Sequence, residues 1–326
     1  MIAFSASVAP SPPTAVPSPG RRRSSVISRQ ALAAQRARQA HAALAHCHLC
    51  AHRCGANRLA GGTGPCHAGN EARVFLAQTE VADELALIPV FAVTFSGCDL
   101  RCDFCISGRQ SWDPRAGIPV GGRRREEASA GFPGPGNEIP HAGSHLEELA
   151  ALARAALAAG ARSVMLLGGE PTIHLPTALE FVSLLPEDVT LVWKTNAHAT
   201  AEARALLDGV FDVWVADYKF GSDRCAQRLA RVRDYTAVVR ENVRWAHLHA
   251  DLIVRHLIMP GHVDCCWRPV AEWLAAELPG VKVSLRDGFW PAWFAARHPE
   301  LRRPPPVAEH RRAVDLARAM RLNLVP

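Results

Sequence analysis

Seven of the ten cysteines in this 326-residue chain fall into two tight groups. In FSGCDLRCDFCISG, three residues separate Cys98 from Cys102 and two separate Cys102 from Cys105. A single loop can therefore aim three thiolates at one point. Three such ligands suit a cubane 4Fe-4S cluster, in which each sulfur takes one iron and the fourth iron keeps no protein ligand. The earlier group, CHLCAHRCGANRLAGGTGPCHAG, spaces Cys47, Cys50, Cys54 and Cys66 by two, three and eleven intervening residues. Four thiolates could close a tetrahedral zinc site or hold a second cluster, with His48, His52 and His67 as nearby alternatives. A site filled entirely by protein ligands serves structure more readily than turnover. Clustering of this kind favours metal ligation in a reducing cytoplasm over a disulfide framework. Cys225, Cys265 and Cys266 read as packed or partly exposed thiols.

The elements that position these residues follow from periodicity. From about residue 90, short β-branched runs alternate with longer alanine- and leucine-rich amphipathic stretches, the signature of repeated βα units and a parallel sheet. The strands are expected at Phe91 to Ser96, Ser163 to Leu167, Val189 to Trp193, Val213 to Ala216, Leu252 to Leu257 and Val281 to Leu285. Helices are expected around 144–159, 173–185, 200–208, 236–248, 266–277 and 307–321. Six right-handed units of this kind predict an α/β fold with a partial (β/α)6 barrel, its chemistry at the carboxyl ends of the strands.

Four regions are expected: a disordered Ser/Pro/Ala-rich leader over 1–30; a helix and Cys-rich metal-binding extension over 31–88; the barrel over 89–290; and a helical extension over 291–326. Gly, Pro and charge over 108–143 mark an inserted loop or lid. A formal charge of +6 comes partly from runs such as Arg21-Arg22-Arg23 and Arg123-Arg124-Arg125, with no accompanying aromatic-basic stripe. Nucleic-acid binding is therefore not expected. No unbroken apolar run of about 18 residues suggests a membrane span.

With its cysteine triad directly after the first strand, the chain resembles the radical S-adenosylmethionine (radical SAM) superfamily. Its amino-terminal cysteines bring it nearest to uncharacterised homologues of pyruvate formate-lyase activating enzyme. The resemblance implies that Cys98, Cys102 and Cys105 hold a 4Fe-4S cluster whose open iron binds the amino and carboxylate groups of S-adenosylmethionine. Reduction then cleaves the cofactor to a deoxyadenosyl radical, which takes hydrogen from a substrate. Later strand ends carry the implied cofactor contacts: Gly168, Gly169 and Glu170 in LLGGEPTIH; Thr195 and Asn196 in WKTNAHAT, where Ala197 replaces the family's glycine; Asp217 and Lys219 in DVWVADYKFG; and Arg255 in LIVRHLIMPGH. Lys194 stands where activases often have an acid. His198, His262 and Tyr218 lie near strand ends and could face a substrate. The implied partners are a small-molecule or peptide substrate, an electron donor such as flavodoxin or ferredoxin, and, for an activase, a glycyl radical enzyme. A protein that senses iron or redox state without turnover is the contrasting reading.

Overall fold

The strands that read as continuous β-branched and apolar runs are buried on both faces, as strands of a parallel sheet must be. A computed structural model describes residues 27–82, 84–120 and 145–326. In chain order its strands are β1 (Ala72–Glu80), β2 (Val90–Phe95), β3 (Ile118–Val120), β4 (Ser163–Gly168), β5 (Thr190–Thr195), β6 (Val213–Asp217), β7 (Asp251–Leu257), β8 (Lys282–Arg286) and β9 (Asn323–Leu324). The sheet order is β3-β1-β2-β4-β5-β6-β7-β8-β9. From β2 to β9 every neighbouring pair is parallel, whereas β1 runs antiparallel to both β2 and β3. The expected partial barrel of six parallel βα units is present as β2, β4, β5, β6, β7 and β8.

Between the strands lie α1 (Arg29–Ala43), α2 (Gly108–Trp112), α3 (His145–Ala158), α4 (Leu175–Ser183), α5 (Ala201–Leu207), α6 (Asp223–Ala230), α7 (Tyr235–His249), α8 (Arg268–Glu277) and α9 (Val307–Ala319). Alternate strand residues serve two layers, as the two-residue period of a strand requires. Val90, Met165, Val192, Val215 and Ile253 form a small apolar cluster on one face of the sheet. Phe91, Val93, Leu166, Trp193, Trp214 and Val254 join the larger core with the helices. Trp193 and Trp214 are buried there with ring centroids 6.4 Å apart. Burying side chains of this size stabilises the fold by about 2–3 kcal/mol each.

Register is what brings the strand ends together. Phe95 lies beside Gly168, Thr195 beside Ala216, and Asp217 beside Arg255, so each implied cofactor residue emerges at the same rim.

The segment expected as an insertion over 108–143 begins instead with α2 and β3, the latter extending the sheet beyond β1. The rest of that expectation, and the leader up to residue 26, lie outside the described residues. Helix α1 starts at Arg29, whose guanidinium is buried against the Val189 carbonyl at 2.6 Å and Asp212 at 3.0 Å. The C-terminal segment adds α9 and then β9, parallel to β8. Among the described residues no helix is long and apolar enough to cross a membrane.

Candidate active site

The loop that carries the cysteine triad leaves β2 through Gly97, whose φ of 80° is open to glycine. A Cβ there would also lie 2.8 Å from Pro114 Cβ. The loop is held from below. Arg101 N donates to the Ala230 carbonyl at 3.1 Å and Asp103 N to the Leu229 carbonyl at 2.9 Å, both at the end of α6. Asp103 also pairs with Arg231 at 2.8 Å and with His298 at 2.8 Å. Cys98 and Cys102 are buried, while Cys105 is half-buried at the rim. Burial pushes the Cys102 thiol up to about 12, opposed chiefly by the Lys219 ammonium. Cys98 is also raised well above the ordinary thiol value, by burial first and then by Asp99 and its charged neighbours. Neutral thiols are thus favoured without metal, and the positive charge of bound irons is what would stabilise three adjacent thiolates.

Opposite the loop, the turn after β4 approaches it without side chains. A Cβ on Gly169 would sit 1.8 Å from the Gly97 carbonyl oxygen, and one on Gly168, at φ 151°, would sit 2.2 Å from the Phe95 oxygen. The Glu170 carboxylate is the hub behind this turn. It accepts hydrogen bonds from Thr172 N (3.0 Å), Thr172 Oγ1 (2.5 Å), Thr195 Oγ1 (2.8 Å) and Asn196 N (2.7 Å). Burial, with Asp99 nearby, pushes its pKa up to about 7 against the bonds from Thr172 and Asn196. Asn196 Nδ2 then donates to Asp99 at 2.7 Å and lies 3.7 Å from Cys98 Sγ. Ala197 takes a φ of 58°, the left-handed conformation that the family's glycine would adopt without strain.

Two buried carboxylates, one in the cluster loop and one among the strands, carry no signal in the sequence. Asp99 is fully buried, and its carboxylate is bonded by Asn196 and, at 2.7 Å, by His198 Nδ1. Burial works against its charge, but those partners hold its carboxyl below the usual range. Glu84, only 1 % exposed, stands 3.6 Å from Lys194 and 3.7 Å from Arg255. It brings a buried carboxylate to Lys194 from another part of the chain. Asp217 completes the charged wall, 2.5 Å from Lys219 and 3.9 Å from Arg255. Burial would raise the Asp217 carboxyl, yet Lys219, Arg255 and Lys194 hold it low.

One cavity of about 610 Å³ is lined by Cys98, Cys102, Cys105, Gly168, Gly169, Glu170, Thr195, Asn196, Asp217, Lys219 and Arg255. Every cluster and cofactor residue implied by the resemblance therefore meets in one place. Tyr218 does not join them: it is buried, with its hydroxyl bonded by Arg240 at 2.9 Å.

The amino-terminal cysteine segment docks directly behind this cavity. Ala51 N donates to the His198 carbonyl at 2.9 Å, Thr200 N to the Leu49 carbonyl at 3.1 Å, and His52 Nε2 lies 3.0 Å from the Asp99 carbonyl. Cys47, Cys50 and Cys66 are buried and Cys54 is exposed. Among the described residues, two sets bring their donor atoms within 4.8 Å of one another: His52 with Asp99 and His198, and Cys225 with His262, Cys265 and Cys266. The amino-terminal four are in neither. Cys225 and Cys266 are buried and Cys265 is half-buried, as packed or partly exposed thiols would be, and the second set adds that they meet one another and His262, which does not line the cavity.

Acid sensitivity is built in next to the site. Burial, reinforced by the charge of Arg58, lowers His174 to about 3, and its Nε2 meets the Ser96 carbonyl at 2.7 Å. A depressed folded pKa means that stability is complete above the unfolded value near 6.5 and is lost as pH falls towards 3. Between pH 6.5 and 5 this one group should remove about 2 kcal/mol. Urea unfolding at both pH values should show that loss, and His174→Gln should flatten it; an unchanged slope in the variant would remove His174 as the cause.

The open parallel barrel, with three clustered cysteines after its first strand and a charged rim on the following strands, defines a class of metallocluster enzyme. The chain belongs to the Radical SAM superfamily, whose family model matches residues 92–274, more than half of its length. The uncharacterized protein MJ0674 of Methanocaldococcus jannaschii is 29% identical over 283 residues, covering 86% of this chain and 76% of that protein. Among solved structures, Streptococcus suis SuiB bound to its precursor peptide SuiA aligns with a TM-score of 0.48 and 15% identity. That alignment covers 70% of this chain but spans only 46% of SuiB. SuiB bound to S-adenosylmethionine aligns equally, with a TM-score of 0.48 and 14% identity. As a member of this superfamily the chain is an enzyme, which sets aside the sensor reading.

Proposed function

We propose that the chain reductively cleaves S-adenosylmethionine and abstracts hydrogen from a small-molecule or peptide substrate. The observation that carries this reading is the convergence of the cysteine triad and the charged strand ends on one cavity of about 610 Å³. That volume lies in the range of small-molecule sites. The residues fit the cofactors: three free cysteines on one loop would hold the 4Fe-4S cluster, and an amino acid-like ligand meets both signs of charge opposite them. When bound, the cluster supplies a low-potential electron and an open iron, and the nucleotide supplies the hydrogen-abstracting radical.

The chain's own groups hold and orient. Lys219 and Arg255 offer ammonium and guanidinium charge to a ligand carboxylate, and Asp217 keeps both in place. Gly168 and Gly169 leave bare backbone for a ligand ammonium. Glu170 acts through its neighbours, because its carboxylate is already occupied by Thr172, Thr195 and Asn196. Thr195 and Asn196 are thereby fixed at the rim, and Asn196 faces Cys98.

Of the described residues lining the cavity, Leu76 and Ile106 are 38% and 79% exposed. An exposed apolar rim suits a substrate larger than the cavity. It favours a peptide, or the glycine loop of a glycyl radical enzyme as for an activase of the pyruvate formate-lyase kind, over a small metabolite. An electron donor such as flavodoxin or ferredoxin would complete the system.

The test is anaerobic reconstitution with iron and sulfide, reduction, and chromatography for deoxyadenosine. A fully loaded cluster that releases none would overturn the reading. Lys219→Met should weaken S-adenosylmethionine binding by roughly 30- to 150-fold, or about 2–3 kcal/mol, since it removes a cation from the ligand and takes from Asp217 its nearest partner. Titration calorimetry reads that change, and an unaltered Kd would exclude Lys219 from the binding site.

A further inference from the structure

Far apart in sequence, Cys225 and the HVDCC segment meet in space. Cys225 lies in the first turn of α6; Cys265 and Cys266 lie in a π-helical turn, Val263–Trp267, that follows β7, and His262 is the residue that caps its start. Cys225 Sγ is 3.6 Å from Cys265 Sγ, which is 3.9 Å from Cys266 Sγ. His262 Nδ1 stands 3.3 Å from Cys265 Sγ and 3.4 Å from Cys266 Sγ. All four donor atoms fall within 4.8 Å of one another. With metal–sulfur bonds of about 2.3 Å and metal–nitrogen bonds of about 2.0–2.1 Å, the edges of a tetrahedron are about 3.8 Å and 3.6 Å. The observed spacings match that figure. They are far beyond a disulfide bond of about 2.05 Å.

Packing of neutral thiols would also bring sulfurs into contact, but it gives no reason for an imidazole nitrogen aimed at two of them. His262 is 3% exposed, and its other nitrogen faces the Glu300 carboxylate at 3.7 Å, with Arg228 at 3.3 Å. A π-helical turn is rare and is found disproportionately where side chains must be re-aimed at a functional site.

The geometry points to a single zinc ion bound by Cys225, His262, Cys265 and Cys266, a Cys3His site with every position filled by protein. Such a closed site is structural. Its consequence reaches the active site because it staples the loops that follow β6 and β7, which carry Lys219 and follow Arg255. The loops are already in close approach: a Cβ on Gly221 would lie 2.2 Å from the Cys266 carbonyl oxygen. From α6 the connection continues to the cluster loop through Ala230, Leu229 and Arg231, which bond Arg101 and Asp103. The ion thus anchors the helix on which the cysteine triad rests, without touching the cofactor.

Three measurements on the full chain, purified without air, test this. Metal analysis should find zinc, and zinc-edge X-ray absorption should show three sulfur neighbours and one nitrogen. The double variant Cys225→Ser, Cys265→Ser should lose that zinc while retaining iron at Cys98, Cys102 and Cys105. Should the double variant fail to fold, the wild-type protein still decides. The half-buried Cys265 should be alkylated slowly until a zinc chelator is added, as followed by peptide mass spectrometry. A chain without zinc, a four-sulfur shell, zinc that survives in the double variant, or Cys265 alkylation indifferent to chelator would each overturn the assignment. None of these readouts depends on turnover, so failure of the proposed activity and failure of the zinc site are separable.

Discussion

Changing Cys102 to alanine should reduce iron by about four atoms per chain and bring deoxyadenosine formation to background, while the protein still folds. The folding half of that expectation is what gives the result meaning. Without metal, Cys102 is a buried neutral thiol, since burial holds its pKa up to about 12. Such a thiol behaves as a small apolar side chain, and trimming its sulfur costs about 1 kcal/mol of packing. Urea unfolding of the metal-free variant should therefore lie within that margin of the metal-free parent. Metal analysis then separates the sites, because zinc at Cys225, His262, Cys265 and Cys266 should persist when the cluster iron is gone. Retention of a complete cluster and of turnover in Cys102→Ala would show that the triad is not the ligand set.

How far the sequence discloses this molecule depends on whether a feature is local. The six parallel strands were readable to within a residue or two, because burial on both faces writes itself into a continuous apolar run such as VFAVTF or VWVAD. By contrast β1, ARVFLAQTE, is half-exposed along its length and antiparallel to its neighbour, and β3 and β9 are three and two residues long. Nothing in their periodicity distinguishes them from connecting chain. Helix α6, DRCAQRLA, is only eight residues long, so the apolar face of Cys225, Ala226, Leu229 and Ala230 spans barely two turns.

The same division runs through the site. The cysteine triad, GGEP, TNA and DYK elements are contiguous and were legible. Glu84 lies in a different part of the chain from Lys194 and Arg255, and only the sheet brings it to them. Asp99 stood in view between two motif cysteines, but its importance rests on complete burial and on His198, which belongs to the loop after β5. A sequence signal did exist for the Cys3His set: histidine followed three and four residues later by cysteines, spacing that one turn of helix turns towards a common point. The fourth ligand, isolated on α6, is what masked it.

Gly169→Ala should be the most damaging of the small substitutions, and it separates space from chemistry at the strand ends. The added Cβ would fall 1.8 Å from the Gly97 carbonyl oxygen, where no rotamer can relieve it because the backbone fixes the position of both atoms. Accommodation requires β4 and the cluster loop to part, which breaks the bonds from Gly169 N to the Phe95 carbonyl at 2.8 Å and from Glu170 N to the Gly97 carbonyl at 2.9 Å. Overpacking of this severity costs about 3 kcal/mol or more, and each lost backbone bond adds about 1 kcal/mol. Stability measured by denaturant unfolding should fall by that sum, about 5 kcal/mol. Displacing Gly97 also moves Cys98, the next residue, so cluster loading should fall even in whatever fraction remains folded. Gly160→Ala is the matched control: nothing lies within 4 Å of a Cβ there, although its φ of 104° imposes its own strain. It should destabilise through backbone conformation alone and leave cluster loading intact. Equal iron content in the folded fractions of the two variants would mean that close approach at Gly169 does not position the cluster loop.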